Sequence, residues 1–229
     1  ARLDTARVAY PGMVGDVKAY SARPKGTEKL PAIIVIHENR GLNAHIEDVA
    51  RRAALAGYLS VAPDGLSSAG GAPVDQEAAR DLFAKTDPAR IAGDIIAAVP
   101  YLANHAQCNG RIGAVGFCYG GGMALRCAVD AEGIDAAVCF YGRALAADDT
   151  AKLKAPIMLH YAGTDERINE AIPEFRKALD ANAVAYSLNM YPGTQHGFHN
   201  DTSAGRYDEK AARLAWSRTM SFFDGYLKV

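Results

Sequence analysis

Arg111-Ile112-Gly113-Ala114-Val115-Gly116-Phe117-Cys118-Tyr119-Gly120-Gly121 is the stretch that decides the fold. Its first seven residues read as a buried strand, and residues 120 to 129 resume as a helix after a sharp turn. Cys118 sits between Gly116 and Gly120, the G-x-C-x-G form of a nucleophile elbow with Cys in place of Ser. A strained strand-to-helix turn needs small residues two before and two after its apex, because side chains there would clash. The sulfur would face the positive end of the following helix, which favours a thiolate. The competing reading is a Gly-rich turn that packs a helix on a sheet around a chance buried Cys.

On either side of the elbow, Val/Ile-rich runs alternate with segments of helical period, the pattern of a parallel sheet covered on both faces. Strands are expected at Ala32–Ile36, Tyr58–Ala62, Ala136–Tyr141, Ile157–Ala162 and Ala185–Tyr191. Helices are expected near residues 46–57, 75–85, 88–105, 169–182 and 208–227. The first 20 or so residues read as an antiparallel edge hairpin. The expectation is one α/β domain over residues 1–229, with a mostly parallel sheet of about eight strands and right-handed crossovers.

Two further residues follow the elbow in the order acid, then base. Asp165 ends Tyr161-Ala162-Gly163-Thr164-Asp165, a strand running into a loop, and His196 lies in Tyr191-Pro192-Gly193-Thr194-Gln195-His196-Gly197-Phe198 after the last strand. Alone, the first reads as a turn residue and the second as a solvated surface His. Together, at sheet edges after an elbow, they read as an acid and a base. His199 is a second candidate base, and His196, His199 and Asp201 together suggest a metal site, though loop spacing alone is weak ground for one. Glu38, at the end of a central strand, is costly to bury unless something offsets its charge, or else it is a surface partner of Arg40.

Composition narrows the function. Lys plus Arg numbers 25 against 26 Asp plus Glu, a formal net charge of −1, without the basic surplus that nucleic-acid binding requires. No apolar run approaches the ~20 residues that cross a bilayer. Cys108, Cys118, Cys127 and Cys139 show no C-x-x-C pair and no disulfide framework, which suits a reducing compartment. The protein is expected in the cytoplasm, with export after loss of a leader as the alternative, and as a monomer or dimer acting on a small molecule without cofactor or metal.

The chain resembles the dienelactone hydrolase family of α/β-hydrolases over nearly its whole length. The matching pieces are His37-Glu38-Asn39-Arg40-Gly41, Ala62-Pro63-Asp64, the Gly116–Gly121 elbow, Gly163–Asp165 and His196-Gly197-Phe198. The resemblance implies a triad of Cys118 as nucleophile, Asp165 as orienter and His196 as base then acid. It gives Glu38 a part in generating the thiolate when substrate binds. The oxyanion hole would be the backbone N–H groups of Asn39 and Tyr119. Where the family carries two substrate-clamping arginines this chain has Gln76 and Asn200, which cannot form a charged fork. Arg80, Arg206 and His199 are the candidates nearby for lining the pocket.

The implied activity is thiol-dependent hydrolysis of small esters or lactones through a thioester, with phosphate esters as a related substrate class because an oxyanion hole selects developing charge. The alternatives are a non-catalytic thiol sensor or binding module built on Cys118, and a metal-dependent hydrolase using His196 and His199.

Overall fold

The computed structural model describes residues 2–26 and 28–229. Among these, eight strands form one sheet in the order β1-β2-β4-β3-β5-β6-β7-β8. They are β1 (Leu3–Gly12), β2 (Gly15–Pro24), β3 (Leu30–Ile36), β4 (Leu59–Pro63), β5 (Cys108–Phe117), β6 (Ala136–Phe140), β7 (Ile157–Ala162) and β8 (Tyr186–Tyr191). The terminal hairpin β1–β2 pairs antiparallel, β2 also pairs antiparallel with β4, and β4 through β8 are parallel. Parallel neighbours need crossover connections, and helices supply them.

The strands alternate their side chains between two apolar layers. Ile33 and Val35 of β3 and Val115 and Phe117 of β5 join the layer under α1 (Ala44–Leu55) and α9 (Glu209–Leu227). Ile34 and Ile36 of β3 and Ile112 and Ala114 of β5 face the other layer. That layer packs on α3 (Pro88–Ile96), α4 (Ala98–Ala103) and α5 (Tyr119–Asp130), while α2 (Gln76–Lys85) lies at its rim. Toward β7, Leu125 of α5 meets Leu159 and the Phe175 and Leu179 side chains of α8 (Ile172–Ala181). Short helices α6 (Ala147–Thr150) and α7 (Glu166–Asn169) sit in the loops after β6 and β7.

One expected helix is divided, and another starts slightly later than expected. Residues 88–105 form α3 and α4, separated at Ala97, because Pro100 has no N–H to continue the ladder and its ring crowds the preceding turn. The helix expected near residues 169–182 is α8, which begins at Ile172 with Pro173 in its first turn, where a missing N–H costs nothing, and residues 166–169 form the separate short α7. Asn43, Asp75, Asp87 and Asp208 cap α1, α2, α3 and α9 through side-chain oxygens. α5 has no such cap, since its N-cap residue is Cys118.

The junction of β5 and α5 leaves no room for a side chain at either glycine that flanks Cys118. A Cβ on Gly116 would lie 1.8 Å from the carbonyl oxygen of Gly120, and one on Gly120 would lie 2.4 Å from the Ile36 oxygen. Backbone stands against backbone, so no rotamer change relieves the clash. Gly116→Ala should therefore lower stability by at least about 2 kcal/mol, in the upper part of the overpacking range. Urea denaturation followed by far-UV circular dichroism checks it; an unchanged midpoint would contradict the packing described.

Candidate active site

Cys118 occupies the elbow with φ 56° and ψ −116°, a left-handed conformation that costs free energy for a side chain bearing a Cβ. Its N–H donates to Phe140 O at 3.0 Å and its carbonyl accepts from Gly121 N at 3.0 Å, so both neighbouring strand and following helix hold the strain in place. Neither the Tyr119 nor the Asn39 N–H finds an oxygen acceptor among the described residues, and both residues line the cleft beside the sulfur. These are the two amides expected to face an oxyanion.

The loop carrying Asn39 is held from below. His37, fully buried, uses Nδ1 toward the Glu38 carbonyl at 2.6 Å and accepts the Gly65 N–H on Nε2 at 3.0 Å. Burial lowers its pKa, so it stays neutral with the proton on Nδ1. Asp64 accepts N–H bonds from Leu42, Leu66 and Ala72 at 3.3, 3.1 and 2.7 Å, closing the same loop onto the end of β4.

Asp165 and His196 meet. The imidazole Nδ1 donates to Asp165 Oδ2 at 2.5 Å, Asp165 is buried, and His196 Nε2 is left without a partner. The two loops are tied by Gly163 N to Tyr191 O at 2.8 Å and by Thr164 N and Oγ1 to Thr194 O at 3.0 and 2.8 Å. A Cβ on Gly163 would lie 2.8 Å from Pro192 Cα, so the approach depends on that glycine. Phe198, fully buried against Tyr191 and Tyr141, anchors the histidine loop from beneath. No hydrogen bond joins Cys118 to His196 among the described residues, although both side chains line one cleft.

The environment of the sulfur keeps it protonated at rest. Burial, and then the charge of Glu38, push the Cys118 thiol up to about 11, while the Tyr119 N–H and the positive charge of Arg167 pull the other way. The helix terminus does not win here. Glu38 pairs with Asn200, whose side-chain amide donates to Oε2 at 3.0 Å, and Arg40 reaches Glu77 rather than Glu38.

Other expected pocket residues lie elsewhere. His199 is buried beneath the site, stacked on Phe117 with ring centroids 4.9 Å apart. Burial, and then the charges of His45 and Arg52, lower its pKa to about 3. It therefore neither lines the cleft nor faces solvent. Arg80 is exposed and paired with Glu77, and Arg206 is exposed, with Nε donating to Ser203 Oγ at 3.2 Å; neither lines the cleft. Gln76 borders a separate groove, where its carbonyl oxygens accept from Arg40 and Asn43. Asp201 binds His45 and Arg52, so His196, His199 and Asp201 do not converge. Among the described residues no three His, Cys, Asp or Glu side chains form a metal-holding group.

The cleft beside Cys118 encloses about 590 Å³ and has a wall that the sequence reading missed. Phe83, Met123, Leu145 and Ile168 give it apolar surface, and Tyr141, Arg126, Arg143 and Arg167 give it polar groups. Tyr141 stands just past the end of β6 with φ 38°, its buried hydroxyl unpartnered and its ring 5.0 Å from that of His196. The signal for Tyr141 and Arg143 was available: both follow the carboxyl end of a central strand, where open α/β sheets place their sites.

A parallel sheet with an elbow, an Asp–His pair and two free amides at its carboxyl edge is the α/β-hydrolase arrangement. The sequence profile of the dienelactone hydrolase family matches residues 17–227, and the chain belongs to that family. A Salmonella typhi protein, named provisionally as a carboxymethylenebutenolidase, is 32% identical over 238 residues, covering 95% of this chain and 86% of the relative. The crystal structure of a provisionally named dienelactone hydrolase from Klebsiella pneumoniae superposes with a TM-score of 0.88 at 28% identity, covering 99% of this chain and 100% of that one. A dienelactone hydrolase-like promiscuous phosphotriesterase from metagenomic libraries shares the fold, with a TM-score of 0.84 at 19% identity and 99% of each chain covered. The protein is thus a hydrolase of this family. No helix among the described residues is long and apolar enough to cross a membrane.

The raised thiol pKa has a measurable consequence. Iodoacetamide alkylation of Cys118 in the free protein should accelerate with pH toward a midpoint near about 11. Glu38→Gln removes a like charge and should move that midpoint down. Mass spectrometry of the Cys118 peptide across a pH series reads both; a wild-type midpoint below the ordinary thiol value would overturn this account of the resting site.

Proposed function

We propose that the protein hydrolyses small esters and lactones with Cys118 as nucleophile, Asp165 and His196 as its acid–base pair, and the Asn39 and Tyr119 amides as the oxyanion hole. The observation that carries this reading is the unpartnered Nε2 of an imidazole whose Nδ1 is fixed by a buried carboxylate, in the same cleft as the elbow sulfur. A thiol sensor has no use for such a pair.

In the proposed cycle the substrate carbonyl oxygen enters between the two free amides, which bind negative charge better than a neutral oxygen and so act mainly on the transition state. The thiol's proton passes by way of Glu38 to His196 Nε2 as sulfur attacks, since burial makes a standing thiolate costly. His196 passes that proton to the departing alkoxide, takes another from water as it attacks the thioester, and returns it to the departing sulfur, and Asp165 holds the imidazolium each time it forms. Glu38 keeps the thiol protonated while the cleft is open and takes part in accepting its proton once substrate is seated. A phosphoryl oxygen would fit the same two amides, which makes phosphate esters a second class to assay.

Panel assays of p-nitrophenyl esters, lactones and phosphate esters test the reading. Cys118→Ala should abolish hydrolysis, while Cys108→Ala and Cys127→Ala should leave it largely intact. His196→Ala should slow the chemical step at least about a hundredfold. Glu38→Gln should lower turnover even while it makes the resting thiol easier to alkylate. A thioester on Cys118, trapped by acid quench and located by mass spectrometry, is the direct readout. Equal loss in all three cysteine variants, or turnover that survives Cys118→Ala, would sink the proposal.

A further inference from the structure

A second carboxylate–imidazole pair lies apart from Asp165 and His196. His45 stands in the first turn of α1 with all but 3% of its side chain buried, and its Nδ1 is 3.2 Å from Asp201 Oδ1. Asp201 Oδ2 accepts from Arg52 Nη2, and Arg52 Nε is fixed in turn by Asp48 Oδ2 at 2.7 Å. His45 Nε2 is buried and has no partner among the described residues. Native interiors seldom leave a polar atom in that condition.

The ring is neutral and its tautomer is fixed. Burial lowers the His45 pKa, and the charges of Glu38 and then Asp201 oppose that fall without reversing it. The positive end of α1 acts in the same direction as burial. Against its own burial, the hydrogen bond and charge of Arg52 hold the Asp201 pKa low. An ionised Asp201 can only accept, so the single ring proton lies on Nδ1 and Nε2 presents a bare lone pair. Glu38 exerts the strongest charge on this ring. Asn200, the residue before Asp201, donates to Glu38 Oε2 at 3.0 Å, so two consecutive residues of one loop grip the carboxylate and the imidazole. While Glu38 is charged it has no proton to offer Nε2. Once it has taken the thiol proton, it has one.

We propose that His45 is a positioning residue for Glu38: its bare Nε2 accepts a hydrogen bond from the Glu38 carboxyl while that carboxyl carries the proton of Cys118. The inference rests on the thiol hydrolase reading above and adds the group that makes Glu38 an adequate acceptor. In this step the S–H bond breaks and its electron pair stays on sulfur, which bonds to the carbonyl carbon. An O–H bond forms on Glu38 and donates to Nε2. The imidazole of His45 gains no charge, and the proton then leaves Glu38 for His196. Arg52 and Asp201 serve the step by keeping the lone pair on Nε2 rather than on Nδ1.

Glu38→Gln gives a test that needs no turnover. Asn200 Nδ2 holds the side-chain oxygen, so the new amide N–H stands where the O–H of a protonated carboxyl would. Nitrogen NMR of the imidazoles should show wild-type His45 protonated on Nδ1, with an Nε2 signal that moves upfield in Glu38→Gln as it gains a donor; loss of that signal in His45→Phe assigns it. A wild-type His45 protonated on Nε2, or an Nε2 signal that Glu38→Gln does not move, overturns the proposal. In turnover of p-nitrophenyl acetate, His45→Phe should lower kcat about fivefold to tenfold with KM held, as loss of one hydrogen bond does. His45→Gln keeps a donor for Asp201 and an acceptor beyond it, and should restore most of the loss. Asp201→Asn must turn its oxygen to Arg52 and its amide to Nδ1, which moves the ring proton to Nε2 and should lower kcat as His45→Phe does. In a Glu38→Gln background His45→Phe should have no further effect. A loss of the same size in that background, or one that His45→Gln does not repair, marks a packing role and overturns the proposal. Turnover that survives Cys118→Ala sinks the thiol reading alone, and the NMR comparison reads the Glu38–His45 contact independently of it.

Discussion

The site depends on the distance of closest approach between β5 and α5. Cys118 holds φ 56° only because Gly116, Gly120 and Gly121 let backbone meet backbone around it: Gly116 against Gly120, Gly120 against the end of β3, Gly121 against Phe140 O. Strain of this kind persists where surrounding structure over-determines it. Here that structure is the middle of the sheet, with β3 on one side and β6 on the other. The elbow also leaves α5 without a side-chain cap, so its first amide finds no oxygen acceptor among the described residues. One packing constraint thus presents the sulfur and exposes a donor beside it.

The remaining parts reach the elbow because every parallel strand delivers its carboxyl end to the same edge. β3 delivers Glu38 and Asn39, β6 delivers Tyr141 and Arg143, β7 delivers Asp165, and β8 leads to His196. Distance in sequence is irrelevant to this convergence; strand order decides it. Local bonds then fix each loop: His37 and Asp64 shape the β3 end, and Gly163 and Thr164 join the β7 and β8 loops.

What could be read from sequence was what rests on backbone rules. Apolar runs located β3 through β8 within a few residues, and the G-x-C-x-G spacing placed the elbow, because the clash that demands those glycines is local. The helix break at Ala97 is not legible in the apolar periodicity, which runs through it from Ile91 to Leu102, and only Pro100 marks it. The pocket wall was missed for a different reason. Arg143 and Arg167 look like surface residues in one dimension, and only the fold brings them into one cleft with Cys118. His199 shows the same limit in reverse: Phe198 and the positive φ of Gly197 turn the chain so that residues three apart face a cleft rim and an aromatic core.

The protonated resting thiol follows from the same geometry. A helix N-terminus stabilises a thiolate, yet the sulfur that meets it has been carried into an apolar cleft beside a carboxylate, and desolvation with like charge outweighs the dipole. Such a thiol is slow to oxidise, because the thiolate is the oxidisable form. It is also a poor nucleophile until a base is in reach and the charge has somewhere to go. In the proposed reaction a carbonyl oxygen between the Asn39 and Tyr119 amides supplies that place, so attack and charge stabilisation arrive together. The free amides, the unshared Nε2 of His196 and the raised thiol are then parts of one arrangement, in which nucleophilicity is withheld from water and oxidants and released by a seated substrate.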